Sequence, residues 1–118
     1  MRVTSHVTFA EVEIVGRSYK ALVDAGFNGE VLVSRRVAEE VGLKPFRIKE
    51  RAAVDGRRIK VEVAVAVIKL WGEETEVFVE ILDEFPLDVL VGVQALRRLG
   101  YVVDPVSGRL EKVGLLAV

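Results

Sequence analysis

Apolar residues along this 118-residue chain recur mainly at every second position, the period of a half-buried β-strand, and only two short stretches switch to helical spacing. The first extended run, Val3 to Val15, carries Val7, Phe9, Val12 and Ile14, and its phase shifts near Ala10, which predicts a bulge or bend. A turn at Gly16-Arg17 leads into a second strand, Tyr19 to Val23, and the resulting hairpin delivers Asp24 at its far end. Punctuation at Gly26-Phe27-Asn28-Gly29 reverses the chain before a short apolar strand, Val31-Leu32-Val33. Strand character returns beyond Pro45, and a turn at Asp55-Gly56 precedes Ile59 to Leu70. There Val61, Val63, Val65 and Val67 alternate with Glu62, Ala64, Ala66 and Ile68, which predicts a strand with the valines on its buried face. After a polar turn at Gly72-Glu73-Glu74, Val77, Val79 and Ile81 resume the two-residue period.

Helical spacing enters at Arg35 to Val41, where Ser34 supplies an N-cap, Val37, Ala38 and Val41 form an apolar stripe, and Gly42 terminates. It returns after the apolar strand Leu87 to Gly92: Val93, Leu96 and Leu99 share a face until Gly100 stops the helix, and Arg97 and Arg98 suit the negative end of its dipole. A final hairpin is expected from Tyr101 to Val103 and Leu110 to Val113. The order of apolar strand, glycine and short amphipathic helix thus occurs twice, around Asp24 to Val41 and around Leu87 to Leu99. A weak internal duplication of this kind places the two strand ends side by side. The apolar tail Leu115 to Val118 is expected to be covered by a partner chain.

Composition narrows the function without choosing it. The length suits one domain, residues 1–118, with a real core. Lys plus Arg number 17 against 18 Asp plus Glu, so no net field draws the chain to nucleic acid or anionic lipid. The basic pairs at Arg35, Arg57 and Arg97 lack interleaved aromatics, and no stretch is long and apolar enough for a membrane span. The absence of cysteine removes thiolate chemistry and fits a reducing cytoplasm. Single Met, Asn and Gln residues hint at a thermophilic source. His6 is the sole histidine and no serine is patterned with it; Glu73-Glu74-Glu76 and Asp83-Glu84 lack ordered ligand spacing. Neither metal nor cofactor is expected.

Asp24 is the residue with chemical promise. It ends an apolar strand immediately before a reversal, where it either caps a turn through backbone amides or, beside a second copy across a two-fold axis, shares one proton with its twin. The run Ala21-Leu22-Val23-Asp24-Ala25-Gly26-Phe27-Asn28-Gly29 resembles the active-site loop of the retropepsin-like (clan AA) aspartic proteases, which reads Asp-Thr-Gly or Asp-Ser-Gly, and its continuation is similar to a small prokaryotic branch. Leu90-Val91-Gly92 before a short helix resembles the family's second element, which crosses behind that loop. The likeness runs from about Tyr19 to Leu110.

This resemblance implies an all-β fold: a closed acid-protease barrel with two short helices, one lobe per chain. It implies a homodimer acting as an aspartic endopeptidase, with Asp24 of each copy activating water against the carbonyl of an extended peptide; the cytoplasmic location expected rests on the absence of cysteine. Ala25, Gly26, Leu90, Val91 and Gly92 support the loop in this reading. Gly26, Phe27, Asn28, Asp55 and Gly56 meet substrate, the last two at the tip of a covering hairpin, Val54-Asp55-Gly56-Arg57. Two departures stand out. Ala25 replaces the Thr or Ser whose hydroxyl braces the paired loops, and Asn28 and Val93 stand where viral members carry an Asp–Arg pair. The first leaves two other functions open, a catalytically silent peptide-binding module and a purely structural dimerisation domain.

Overall fold

The computed structural model describes residues 7–53, 55–104, 106, 107 and 109–113. His6, Val54 and the Leu115 to Val118 tail lie outside them. Among the described residues, nine strands and two short helices follow in the order β1 (Val7–Ile14), β2 (Arg17–Asp24), β3 (Val31–Ser34), α1 (Arg35–Val41), β4 (Arg47–Ala52), β5 (Arg58–Leu70), β6 (Glu73–Leu82), β7 (Val89–Val91), α2 (Val93–Arg98), β8 (Tyr101–Val103) and β9 (Leu110–Lys112).

Seven strands form one sheet in the order β1-β2-β7-β3-β6-β5-β4, and β1 also pairs with β5. That last pairing, with Val12 opposite Leu70 and Ile14 opposite Ile68, closes six strands into a barrel and leaves β4 outside as a flange on β5. Closure satisfies backbone groups that an open edge leaves unpaired. Val12, Val23, Val33, Ile68, Val79 and Val91 fill the interior from all six strands. The fold is the expected closed β-barrel with two short helices.

Both helices cap as their sequences indicate. The Ser34 hydroxyl accepts the Val37 N–H at 3.2 Å, and Gly42 ends α1 in the left-handed region at φ 71°. Val37 and Ala38 from α1, and Ala95 and Leu96 from α2, join the core. Tyr19 on β2 donates its hydroxyl to Glu40 at 2.7 Å, tying α1 to the barrel; burial and then that carboxylate push the phenol up to about 12.

The structure corrects three local expectations. β1 and β2 pair without interruption from Val7 opposite Asp24 to Ile14 opposite Arg17, so no bulge exists at Ala10. Phe9 faces outward under the Lys20 ammonium, 4.5 Å from its ring, and a cation–π contact accounts for an aromatic on the wet face. On β5, Val65 and Val67 are exposed while Ala64, Ala66, Ile68 and Leu70 are buried. Val61 and Val63 are buried as expected; the buried phase switches between Val63 and Ala64 while the register with β6 is uninterrupted, and β4 pairs only with the part of β5 before the switch. The β5–β6 turn is centred on Trp71 and Gly72, both at positive φ, and Glu73 already belongs to β6.

The feature that positions the site is β7. It runs parallel to β2, pairing Val23 with Val91, and antiparallel to β3, pairing Val31 with Val91, so it is threaded between the two strands that flank the Asp24 loop. A Cβ on Gly92 would lie 2.5 Å from the Gly29 carbonyl oxygen, 2.8 Å from that of Phe27 and 2.4 Å from the Phe27 ring. Gly92→Ala is therefore expected to cost about 2–3 kcal/mol, because backbone on both sides must yield. Urea unfolding checks this; a loss below about 0.5 kcal/mol contradicts so tight a crossing.

Candidate active site

Asp24 stands at the last position of β2, half-buried at the barrel rim, while its neighbour Val23 points into the core. Its Oδ1 accepts the Gly26 N–H at 2.9 Å and its carbonyl accepts the Phe27 N–H at 3.1 Å. The turn role is thus realised, and it does not consume the group: among the described residues Oδ2 has no hydrogen-bond partner. One oxygen is fixed and the other is available to water, a suitable arrangement for proton exchange.

The loop is held from behind by consecutive backbone donors. Gly92 N–H donates to the Glu30 carbonyl at 2.7 Å, Val93 N–H to Phe27 at 2.9 Å and Gln94 N–H to Gly29 at 2.9 Å. Ala25, Gly26, Leu90, Val91 and Gly92 are therefore assembled around Asp24. Where the viral Asp–Arg pair is missing, two other links join the same limbs: Gln94 Nε2 donates to Asn28 Oδ1 at 3.1 Å, and Arg98 meets Glu30 at 3.1 Å. Glu30 also accepts the Phe78 N–H at 2.7 Å, which fastens the loop to β6.

Phe27 lies with its ring against Gly29 and Gly92, and the Arg51 guanidinium sits 5.2 Å above it. That contact connects the loop to the β4–β5 hairpin. The hairpin's tip is separately organised: Ala53 N–H donates to Arg57 at 2.7 Å, Asp55 accepts from the Arg57 N–H at 3.0 Å, and Gly56 supplies the left-handed residue at φ 88°. Asp55 and Gly56 are thus exposed, with their hydrogen bonds made inside the hairpin. The structure brings the β4 strand to the Asp24 loop, at Phe27, and not the tip.

Between β4 and the loop lies a cavity of about 200 Å³ bordered by Asn28, Glu30, Arg47, Lys49, Arg51 and Glu80. Glu80 is buried, with its side chain 8% exposed. Arg51 meets it through two hydrogen bonds of 2.6 and 2.5 Å, and Lys49 approaches to 2.9 Å. Burial by itself raises the Glu80 carboxyl, but the Arg51 and Lys49 bonds and charges prevail and hold it below the usual range. Sequence reading missed Glu80, Arg51, Glu30, Gln94 and Arg98. One signal was present: Arg47, Lys49 and Arg51 recur at the strand period, which puts three cations on one face of β4.

A closed six-stranded barrel whose aspartate loop is locked by a crossing apolar-apolar-glycine strand is the lobe of a retropepsin-like acid protease. The chain matches the family described as Aspartyl protease over residues 2–104 and belongs to the retropepsin-like aspartic protease family. Among solved structures it is similar to the retroviral protease-like domain of Ddi1 from Leishmania major, with a TM-score of 0.60, 21% identity, and coverage of 94% of this chain and 88% of that one. At this identity the likeness speaks for the fold. No curated protein matches the sequence. Among the described residues no helix is long and apolar enough to cross a membrane.

Glu80→Gln strands the Arg51 cation, and a loss of about 2–3 kcal/mol is expected, below the full buried-pair figure because Arg51 is partly wet. Because folding lowers the Glu80 pKa, its contribution is complete above the unfolded value, near 4.3, and disappears as pH falls through the folded one. The stability gap between wild type and variant should shrink between about pH 5 and pH 3. A gap constant across that range, measured by denaturant titration, contradicts the assignment.

Proposed function

We propose that the chain is one half of a homodimeric aspartic endopeptidase, with the two Asp24 carboxylates sharing a proton at the dimer axis. The observation that carries this reading is the Asp24 loop, with Oδ1 tied to the Gly26 N–H and Oδ2 left for water at the barrel rim. In the proposed reaction the ionised member of the pair takes a proton from water as its oxygen attacks the peptide carbonyl carbon. The protonated member donates to the carbonyl oxygen, giving a tetrahedral diol. Its collapse breaks the C–N bond: the carboxyl that took its proton from water donates that proton to the leaving nitrogen, and the other carboxylate takes a hydroxyl proton as the new carboxyl C=O forms. The β4–β5 hairpin covers the cleft, and an extended substrate pairs by its backbone.

A second reading is favoured by Ala25, which lacks the hydroxyl that crosses the axis in relatives. A dimer without that brace binds peptides yet positions Asp24 too loosely for turnover, since small misplacements of reacting groups cost rate steeply.

Incubation with a diverse peptide library between about pH 3 and pH 7 separates the two. The protease reading expects cleavage that drops about 10³-fold in Asp24→Asn. Cleavage that survives this change sinks the mechanism, and saturable binding without cleavage establishes the silent module. Ala25→Thr restores one hydroxyl per protomer, each worth about 1 kcal/mol, and should tighten the dimer roughly thirtyfold with a rise in kcat. An unchanged dissociation constant by sedimentation argues that Ala25 does not face its twin.

A further inference from the structure

The cavity beside the Asp24 loop has an uneven charge inventory. Two carboxylates border it, and both are committed. Glu80 is engaged by Arg51 and Lys49, and Glu30 by the Phe78 N–H and Arg98. Three cations border the same space from alternate positions of β4. Arg51 is taken up in a two-point pair with Glu80 and lies over Phe27, but Lys49 shares Glu80 through one contact and remains 39% exposed. Among the described residues Arg47 has aromatic neighbours and no carboxylate: its guanidinium stands 5.7 Å from the Phe46 ring and 5.9 Å from the Phe78 ring. Two cations thus face a small recess with donors to spare, while every carboxylate oxygen there already accepts at least one hydrogen bond.

We infer that this recess is a side-chain subsite selecting an acidic residue, Asp or Glu, of an extended peptide, with Arg47 and Lys49 as the specificity-determining residues. The inference rests on the reading of the Asp24 cleft as a peptide site. A carboxylate entering there meets charge-assisted donors held by neighbouring structure: stacking on Phe46 and Phe78 limits the Arg47 rotamers, and Glu80 limits those of Lys49. Arginine further suits a planar carboxylate through its two-pronged donor geometry. A neutral amide forms weaker bonds with the same donors, and a lysine side chain is repelled. Glu80 has a second part in this account. By neutralising Arg51 it prevents the recess from becoming so cationic that any anion is attracted without regard to shape.

The test uses binding, so that it does not depend on turnover. Fluorescent amidated peptides that differ at one position, Glu, Gln or Lys, are titrated against the full-length Asp24→Asn protein, and the scan is repeated with the varied residue moved along the peptide. At one register the Glu peptide should bind roughly tenfold more tightly than Gln, with Lys weaker than both. The ratio should contract as salt rises from about 50 to 500 mM. Combined Arg47→Gln and Lys49→Gln substitutions should erase the Glu preference by weakening the Glu peptide much more than the Gln peptide, and Arg47→Glu with Lys49→Glu should favour the Lys peptide. Equal affinity for Glu and Gln at every register overturns the subsite and leaves the peptide cleft standing. Failure of every peptide to bind removes the cleft reading itself, and the subsite with it. A Glu preference that persists in the double Gln variant assigns the selectivity to other residues.

Discussion

The structure depends on a side chain that is absent. Between the Phe27 and Gly29 carbonyls there is room for the backbone of residue 92 and nothing more, so Gly92 permits β7 to thread between β2 and β3. This one crossing performs two tasks. It completes the barrel, because β7 fills the place between β2 and β3 and pairs with both, and it fixes the Asp24 loop by three donations from residues 92–94. Closure is a requirement of stability, since unpaired interior backbone is expensive, and loop placement is a requirement of chemistry. Both are met by the same few atoms, so the barrel cannot loosen at β7 without releasing Asp24.

Charge works at two different levels around this frame. Pairs on the exposed side of α1, such as Arg36 with Glu40, lie in water and contribute little to folding. Glu80 is different because it is desolvated and each of its oxygens is engaged by a cation from β4. The pair therefore fixes the flange strand in relation to the barrel, and Arg51 extends the connection to Phe27 on the Asp24 loop. Hairpin, buried carboxylate and loop form a continuous contact chain. Under the proposed function, a substrate that displaced β4 would also disturb the support of Asp24.

The elements legible in the sequence were those with local causes. Ser34 and Gly42 bracket α1 because capping is decided within one turn, and Asp24 with Gly92 stood out because their two motifs resemble the ordered elements of a known family, whereas by pattern alone Asp24 reads equally as a turn cap. Phase was harder to read. Alternation along β5 is regular in sequence, but whether Val63 or Ala64 faces the barrel depends on where the flange ends, a tertiary fact. Phe9 misled for a related reason, since an outward aromatic covered by Lys20 reads as a break in the pattern. Glu80, Arg51, Glu30 and Arg98 were invisible as a group because their partners are distant in the chain. On a barrel strand a polar residue facing away from the core is ordinarily solvated, and only the flange of β4 makes Glu80 buried.

The central claim is that two copies of this chain bring their Asp24 carboxylates together beneath one cleft. A crystal structure of the assembled protein with a peptide analogue that mimics the tetrahedral diol tests it most directly. The account predicts the analogue's hydroxyl between the two Asp24 side chains, with carboxylate oxygens within about 3 Å of it and the β4–β5 hairpins folded over the ligand. A dimer whose Asp24 residues lie on opposite faces, or an analogue bound away from both, contradicts it.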